Sequence, residues 1–412
     1  MNRAIRNYAF VTVAYWGQTL SDGALRMLVL LHFNRIGYSP LQIAFLFLFY
    51  EFFGIVTNLI GGWIGQRLGL KVTLFSGLAI QVIALSTLAL LNPAWSVGFS
   101  VAYVMVSQAL SGIAKDLTKM SSKSAVKALV PTDAKEGSLY RLVALLTGSK
   151  NALKGAGFFL GGAMLGWLGF APALWTMAGA LLLTLIVCAT ALPQQIGQTK
   201  AKVGLRGMFS RSPAVNILSA ARFFLFGARD VWFVVGLPVF LYDQLGWNFA
   251  QVGGFLALWV IGYGFVQAAA PLLTGRRGAK HSPSGSAAVF WTLLLATLPA
   301  AMALGFWRGL DPATVIIGGL AIFGFVFAIN SAVHSFLILS YSEGDKVALN
   351  VGFYYMANAG GRLAGTVLSG WLFQSGGLTA CLWASAGMAL AAGLISLRLP
   401  RRVSVSLQPQ HA

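Results

Sequence analysis

The sequence predicts an all-α polytopic membrane protein, with twelve transmembrane helices in two six-helix bundles and both termini cytoplasmic. Three observations carry this expectation. Of the 412 residues, 57% are hydrophobic and only 9% charged, against about 25% charged in soluble domains; the mean hydropathy is +0.76. The apolar residues gather into runs of the ~20 residues needed to cross hydrocarbon, longer than the ~10-residue alternating segments of a β-barrel. The excess of 29 Lys and Arg over 10 Asp and Glu, a net charge of +19, falls mostly in alternate short loops, as on the cytoplasmic face of membrane proteins. A soluble enzyme, a disordered tail and a fibrous protein are excluded. The location of the basic charge argues against nucleic acid as its partner.

In order, the first half has apolar runs at 8–33, 41–64, 72–92, 95–117, 139–167 and 170–192. The first is long, lacks a small-residue cleavage site and carries Asp22 and Arg26, so it reads as a retained helix and not a signal peptide. The second half has runs at 214–242, 249–273, 286–307, 312–338, 350–374 and 377–398. Loops after even-numbered runs carry Arg67 and Lys71, then the lysines of 119–135, then the bases of 200–211 and 276–280, then Lys346. Loops after odd-numbered runs carry only Arg35 and Arg308, and Arg3, Arg6, Arg401 and Arg402 mark the ends. This bias puts both termini inside. The polar, basic stretch 193–213 is the longest linker without an apolar run, so the chain divides into a bundle at 1–192, the linker, a bundle at 214–398 and a tail at 399–412.

The halves repeat. A shift of 209 residues lays IGYSPLQIAFLFLF (36–49) on LGWNFAQVGGFLAL (245–258), and carries Arg67, Gly69 and Lys71 onto Arg276, Gly278 and Lys280. A shift of 204 lays 151–168 on 355–372. Two copies in the same orientation resemble the parallel repeat of the major facilitator superfamily. The stretch GGWIGQRLGLK (61–71) resembles that superfamily's loop between its second and third helices, and departs from it at Gln66, where an acid is usual.

Ionisable groups inside a membrane cost ~2.5–3.5 kcal/mol each on insertion scales and are functional candidates. Near mid-membrane stand Arg26, Lys150, Lys154, Arg222, Arg229 and Arg362, against Asp22, Glu51 and Asp230, an excess of three positive charges. Such an excess is best neutralised by an anionic small-molecule substrate. Lys150 and Lys154, four apart, share a helix face, and their mutual repulsion suits an anion site. Asp22 and Arg26 have the spacing of an internal ion pair. Asp230 adjoins Arg229 but points about 100° away on a helix. Arg222 is placed near the interface, where it could snorkel. Tyr15, Asn58, Tyr354 and Asn358 could line the same cavity, with Gln18, Asn330 and Tyr355. Asp22, Glu51, Asp230 and His334 are candidates for coupling or ion pairing. Lys115, Lys119 and Lys123, at the end of the fourth run, form a basic cytoplasmic mouth that would draw anions inward. Gly157-x-x-x-Gly161, Gly162-x-x-x-Gly166 and Gly361-x-x-x-Gly365 read as close helix packing. No P-loop, metal-ligand spacing or nucleophile motif occurs, so neither an enzyme nor a cofactor is expected, and Cys188 and Cys381 lie far apart in apolar runs.

The stretches AYWGQTLSDGALRMLVLLHF (14–33), GYSPLQIAFLFLFYEFFGIVTNLIGGW (37–63), ALSGIAKDLTKMSSKSAVK (109–127) and LTGSKNALKGAGFFLGG (146–162) resemble the organoarsenical efflux permeases (ArsJ type) of that superfamily. The resemblance implies a monomeric permease of the bacterial inner membrane, exporting 1-arseno-3-phosphoglycerate and so conferring arsenate resistance. Glyceraldehyde-3-phosphate dehydrogenase, the implied functional partner, makes this substrate from arsenate. An organophosphate/phosphate antiporter would use Arg26 and Arg229 similarly. A proton-coupled multidrug exporter calls for excess acid in the core, which the sequence lacks, and a receptor needs a larger soluble domain than any loop provides.

Overall fold

The computed structural model describes residues 3–68, 70–129, 136–192, 212–274, 283–342 and 347–400. Among these every regular element is helical: α1 (Arg3–Arg35), α2 (Pro40–Leu46), α3 (Leu48–Leu68), α4 (Leu70–Ala89), α5 (Val97–Leu129), α6 (Glu136–Trp167), α7 (Phe170–Ala191), α8 (Pro213–Phe233), α9 (Gly236–Asp243), α10 (Phe249–Thr274), α11 (Gly285–Trp307), α12 (Pro312–Ser340) and α13 (Val347–Ser396). Nine stretches among the described residues are long and apolar enough to cross a membrane, the last being Asn350–Ser396 at 47 residues. α13 turns back at Gly376 and Gly377, where Gly377 takes φ +63°, so it forms two legs. α1 is not among the nine. It buries Gln18, Ser21, Asp22 and Arg26 by packing against α5, α6 and α7. The basic loops at 200–211 and 276–280, Lys346, most of the 193–213 linker and the tail beyond residue 400 lie outside the described residues.

Three elements differ from the sequence expectation. The fourth run does not end at residue 117: α5 continues to Leu129, because no Gly or Pro interrupts the chain until Pro131. The second run is broken at Phe47 into α2 and α3. The seventh is broken between Phe233 and Gly236, where Pro238 supplies no N–H and its ring crowds the carbonyl four residues back. The N–H groups left at that break, of Val235 and Gly236, donate to Ser369 Oγ of α13 at 3.3 and 3.0 Å.

The 209-residue repeat reappears as geometry. Ser39 caps α2 in a reciprocal box with Gln42. Asn248 and Gln251, the equivalent positions, exchange the same two bonds at 2.8 and 2.9 Å before α10. Gly37 and Gly246, equivalent again, both take positive φ, +89° and +67°, which only glycine adopts without strain. Each ends the tight turn that precedes the capped helix. Packing between the two copies follows the same symmetry: α6 lies on α10, and α2 and α3 lie on the first leg of α13.

Candidate functional site

Two glycine seams set the backbone of the site. On α6, an added Cβ at Gly157 would meet Leu20 O at 2.5 Å, one at Gly161 would collide with Ala24 O, and one at Gly23 of α1 would meet Lys154 O at 2.7 Å. α1 and α6 therefore touch backbone to backbone, which brings Lys154 beside Arg26. On α13, Gly361 lies against Phe223 O and Gly365 against Gly227 O of α8. That contact brings Arg362 beside Asp230. The predicted close packing is present at these positions, but not at Gly166, whose Cβ would meet nothing within 4 Å.

Between the seams runs a chain of charges. Arg26 Nη2 donates to Glu51 Oε1 at 2.5 Å. Arg362 Nη2 donates to the same oxygen at 2.6 Å, and its Nε to Asp230 Oδ2 at 3.3 Å. Arg229 Nε donates to Asp230 Oδ1 at 2.6 Å. Both acids are sealed off, Glu51 at 1% and Asp230 at 0% exposure. Three guanidiniums meet two carboxylates, leaving one positive charge in excess. Arg26 also lies over the rings of Phe47 and Tyr50. The break at Phe47 starts α3 one turn before Glu51.

Two expected pairings are corrected. Arg26 bonds Glu51 and makes no ion pair with Asp22, whose Oδ1 accepts from the Tyr50 hydroxyl at 2.6 Å. Arg229 does reach Asp230, because a long side chain swings back around the helix further than the 100° between Cα positions suggests. The acid Arg362 lacks along its own sequence neighbourhood comes from α3 and α8.

Beside this chain lies a cavity of about 60 Å³ lined by Arg26, Asn151, Lys154, Arg229, Asp230 and Tyr263, with Trp259 and Phe233 among its apolar walls. Among the described residues Lys154 has no carboxylate within ion-pair distance; its ammonium lies 5.5 Å from the Phe158 ring centre. Lys150 sits one turn away on α6. The space holds a little water and not an elongated dianion. The site is thus closed around its own ion pairs.

The remaining candidates fall into two other groups. Lys115 and Lys119 are built into α5 instead of forming an open mouth. Lys115 lies 3.9 Å over the Tyr50 ring. Lys119 pairs with Asp116 at 3.6 Å, donates to Asn58 Oδ1 at 3.1 Å and lies over Tyr355 of α13. The side chain of Lys123 lies outside the described residues. Tyr15 is buried on α1, apart from the arginine chain. In the second half, Asn358 Oδ1 accepts from Arg222 Nε at 2.9 Å, and Tyr354 lies beneath the same guanidinium. Arg222 is 4% exposed and does not snorkel. His334 is buried on α12, both ring nitrogens without a hydrogen-bond partner among the described residues. Tyr50, Thr57, Asn151, Trp259 and Tyr263 complete these clusters and went unnoticed in the sequence. Thr57, whose hydroxyl bonds Asp116 Oδ2 at 2.6 Å, had no charge to mark it. Tyr50 could have been found from its place next to Glu51.

The sequence itself has a counterpart among known families. A family profile described as Major Facilitator Superfamily matches residues 10–343. The chain belongs to the major facilitator superfamily. No curated protein matches it. Membership in the superfamily makes the chain a multi-pass membrane protein and, in its coarse function, a secondary transporter with a small-molecule substrate. In superfamily terms, Arg26, Glu51 and Lys154 come from the first repeat, and Arg229, Asp230 and Arg362 from the second.

Proposed function

We propose that this transporter exports a phosphorylated organoarsenical anion, 1-arseno-3-phosphoglycerate, and thereby confers arsenate resistance. The observation that carries the anionic half of this reading is the buried positive excess. Arg26, Lys154 and Arg229 line one cavity against the single carboxylate of Asp230, and among the described residues Lys154 has no carboxylate within ion-pair distance. A buried charge without a partner is expensive, and an anion bound there would neutralise it. The organoarsenical half is supported by the sequence stretches that resemble the ArsJ-type permeases. In this reading glyceraldehyde-3-phosphate dehydrogenase supplies the substrate inside the cell, and the protein works as a monomer in a bacterial inner membrane. Twelve spans fit the described helices: α2 with α3 and α8 with α9 each count once, and α13 counts twice. An even count puts both termini on one side, and the Lys and Arg bias of the loops favours the cytoplasmic side, with bundles at 1–192 and 214–398.

The test is uptake into everted vesicles with arsenate, glyceraldehyde-3-phosphate, NAD and the dehydrogenase supplied outside. Arsenic should accumulate only when all four are present. Accumulation with arsenate alone, or none in the full mixture, would overturn the substrate. Exchange of organophosphate for inorganic phosphate in the same vesicles would replace it with the antiporter.

A further inference from the structure

Arg26 and Arg362 lie 336 positions apart in the chain, yet both end on one atom, Glu51 Oε1, at 2.5 and 2.6 Å. Guanidinium groups converging on oxygen from two sides are how proteins hold phosphate and carboxylate. Here the carboxylate belongs to the protein itself.

We infer that Glu51 is a tethered stand-in for an anionic group of the cargo: the Arg26–Arg362 pair is an oxyanion subsite, filled by Glu51 in the empty carrier and by a phosphate-, arsenate- or carboxylate-type group during transport. The inference rests on the anion-transport reading above and adds where one charged end binds and what it displaces. Three further features support it. Arg26 lines the central cavity whereas Glu51 and Arg362 do not, so an arriving anion meets Arg26 on the side away from Glu51. Arg362 keeps a second carboxylate, Asp230, and remains anchored while its partner changes. Lys115 lies 3.9 Å over the ring of Tyr50, the residue next to Glu51, and offers the released carboxylate another cation. Because Glu51 joins an arginine of the first repeat to one of the second, it also holds the empty carrier closed. An empty carrier closed in this way can change sides without a returning anion, which favours net export over obligatory exchange.

The test uses the full chain in nanodiscs, with 3-phosphoglycerate and inorganic phosphate as probes. Glu51→Gln removes the internal competitor and should bind at least one probe about tenfold or more tighter than the wild type. Glu51→Gln combined with Arg362→Gln should lose that gain. Glu51→Asp, which keeps the charge and guards against misfolding of the first variant, should fall between. Unchanged or weaker binding of both probes to Glu51→Gln, or a gain that survives Arg362→Gln, overturns the inference. A gain for phosphate alone points to the inorganic anion, and a gain for 3-phosphoglycerate to an organic one. Tighter binding with no arsenic accumulation in the vesicle assay would sink the organoarsenical reading and leave the subsite standing. Arsenic accumulation without tighter binding would do the reverse.

Discussion

Asn34 Nδ2 donates to Asp243 Oδ1 at 2.9 Å, and the two residues are 209 positions apart. That separation is the repeat itself, so one position of the ancestral unit is bonded to its own copy. A self-paired position lies on the axis that relates the two halves. It lies beside Gly37 and Gly246, in the turns that precede α2 and α10. Leu41 N–H donates to Gln374 Oε1 at 3.4 Å and ties the halves there as well.

The first prediction uses this pair. With Cys188 and Cys381 replaced by Ser, Asn34→Cys with Asp243→Cys should form a disulfide readily under mild oxidation. The oxidised protein should stop transporting, and reductant should restore it. Crosslinking with no effect on transport would mean that this end does not open in the cycle.

Arg362 holds two carboxylates through two different nitrogens, a geometry lysine cannot reproduce. Arg362→Lys should therefore reduce transport about tenfold or more at normal membrane abundance, since a charged hydrogen bond contributes ~1.5–3 kcal/mol. Arg362→Ala should also lower thermal stability, because removing one partner of a buried pair costs about 3–5 kcal/mol. Vesicle transport and melting in detergent, measured on the same preparations, check both.

Lys154 acts as a charge at the cavity wall and not as a geometric fork. Lys154→Arg should retain most transport, and Lys154→Ala should lose most of it with little change in melting temperature. A large loss of stability in Lys154→Ala would instead assign the residue to holding helices together.

The glycine seams can be tested with an internal control. Gly361→Ala would push a methyl into Phe223 O, a backbone atom that cannot move aside, and should cost about 1–3 kcal/mol or more of stability. Gly166→Ala meets open space and should leave stability unchanged or raise it slightly, as alanine is the better helix former. Melting temperatures of the two variants decide.

Orientation is tested by cysteine labelling in intact cells. A cysteine at Asp311, in the turn before α12, should react with an impermeant reagent from outside. One at Gln194 should react only with a permeant reagent. The opposite pattern would invert the topology.

The helices, the repeat and most of the buried charges were legible in the sequence, because apolar run length, loop charge and a fixed offset are properties of the chain alone. The pairing of the charges was not. Sequence spacing favoured Asp22 for Arg26, but the partner is Glu51 on the next span, a choice made by the break at Phe47 and the packing of α1. Arg362 is the clearest case: nothing near it in sequence is acidic, and both its carboxylates arrive from other helices. Lys119 looked like a loop residue because run length measures hydrophobicity, and α5 continues past the point where its hydrophobicity ends.

The turn between α1 and α2 is only residues 36–39, and it joins the helix of Arg26 to the segment of Glu51. Legs joined so tightly enter a bilayer together, as a hairpin. Either charge alone would resist insertion by ~2.5–3.5 kcal/mol, but within the hairpin each has its opposite, at 2.5 Å, without any contribution from the second half of the chain. Glu51 thus offsets the cost of placing Arg26 in lipid, and Arg26 that of Glu51. Arg362 reaches the same oxygen from α13, near the far end of the chain. A truncated first half should accordingly insert with Glu51 already committed to Arg26, waiting for one more arginine.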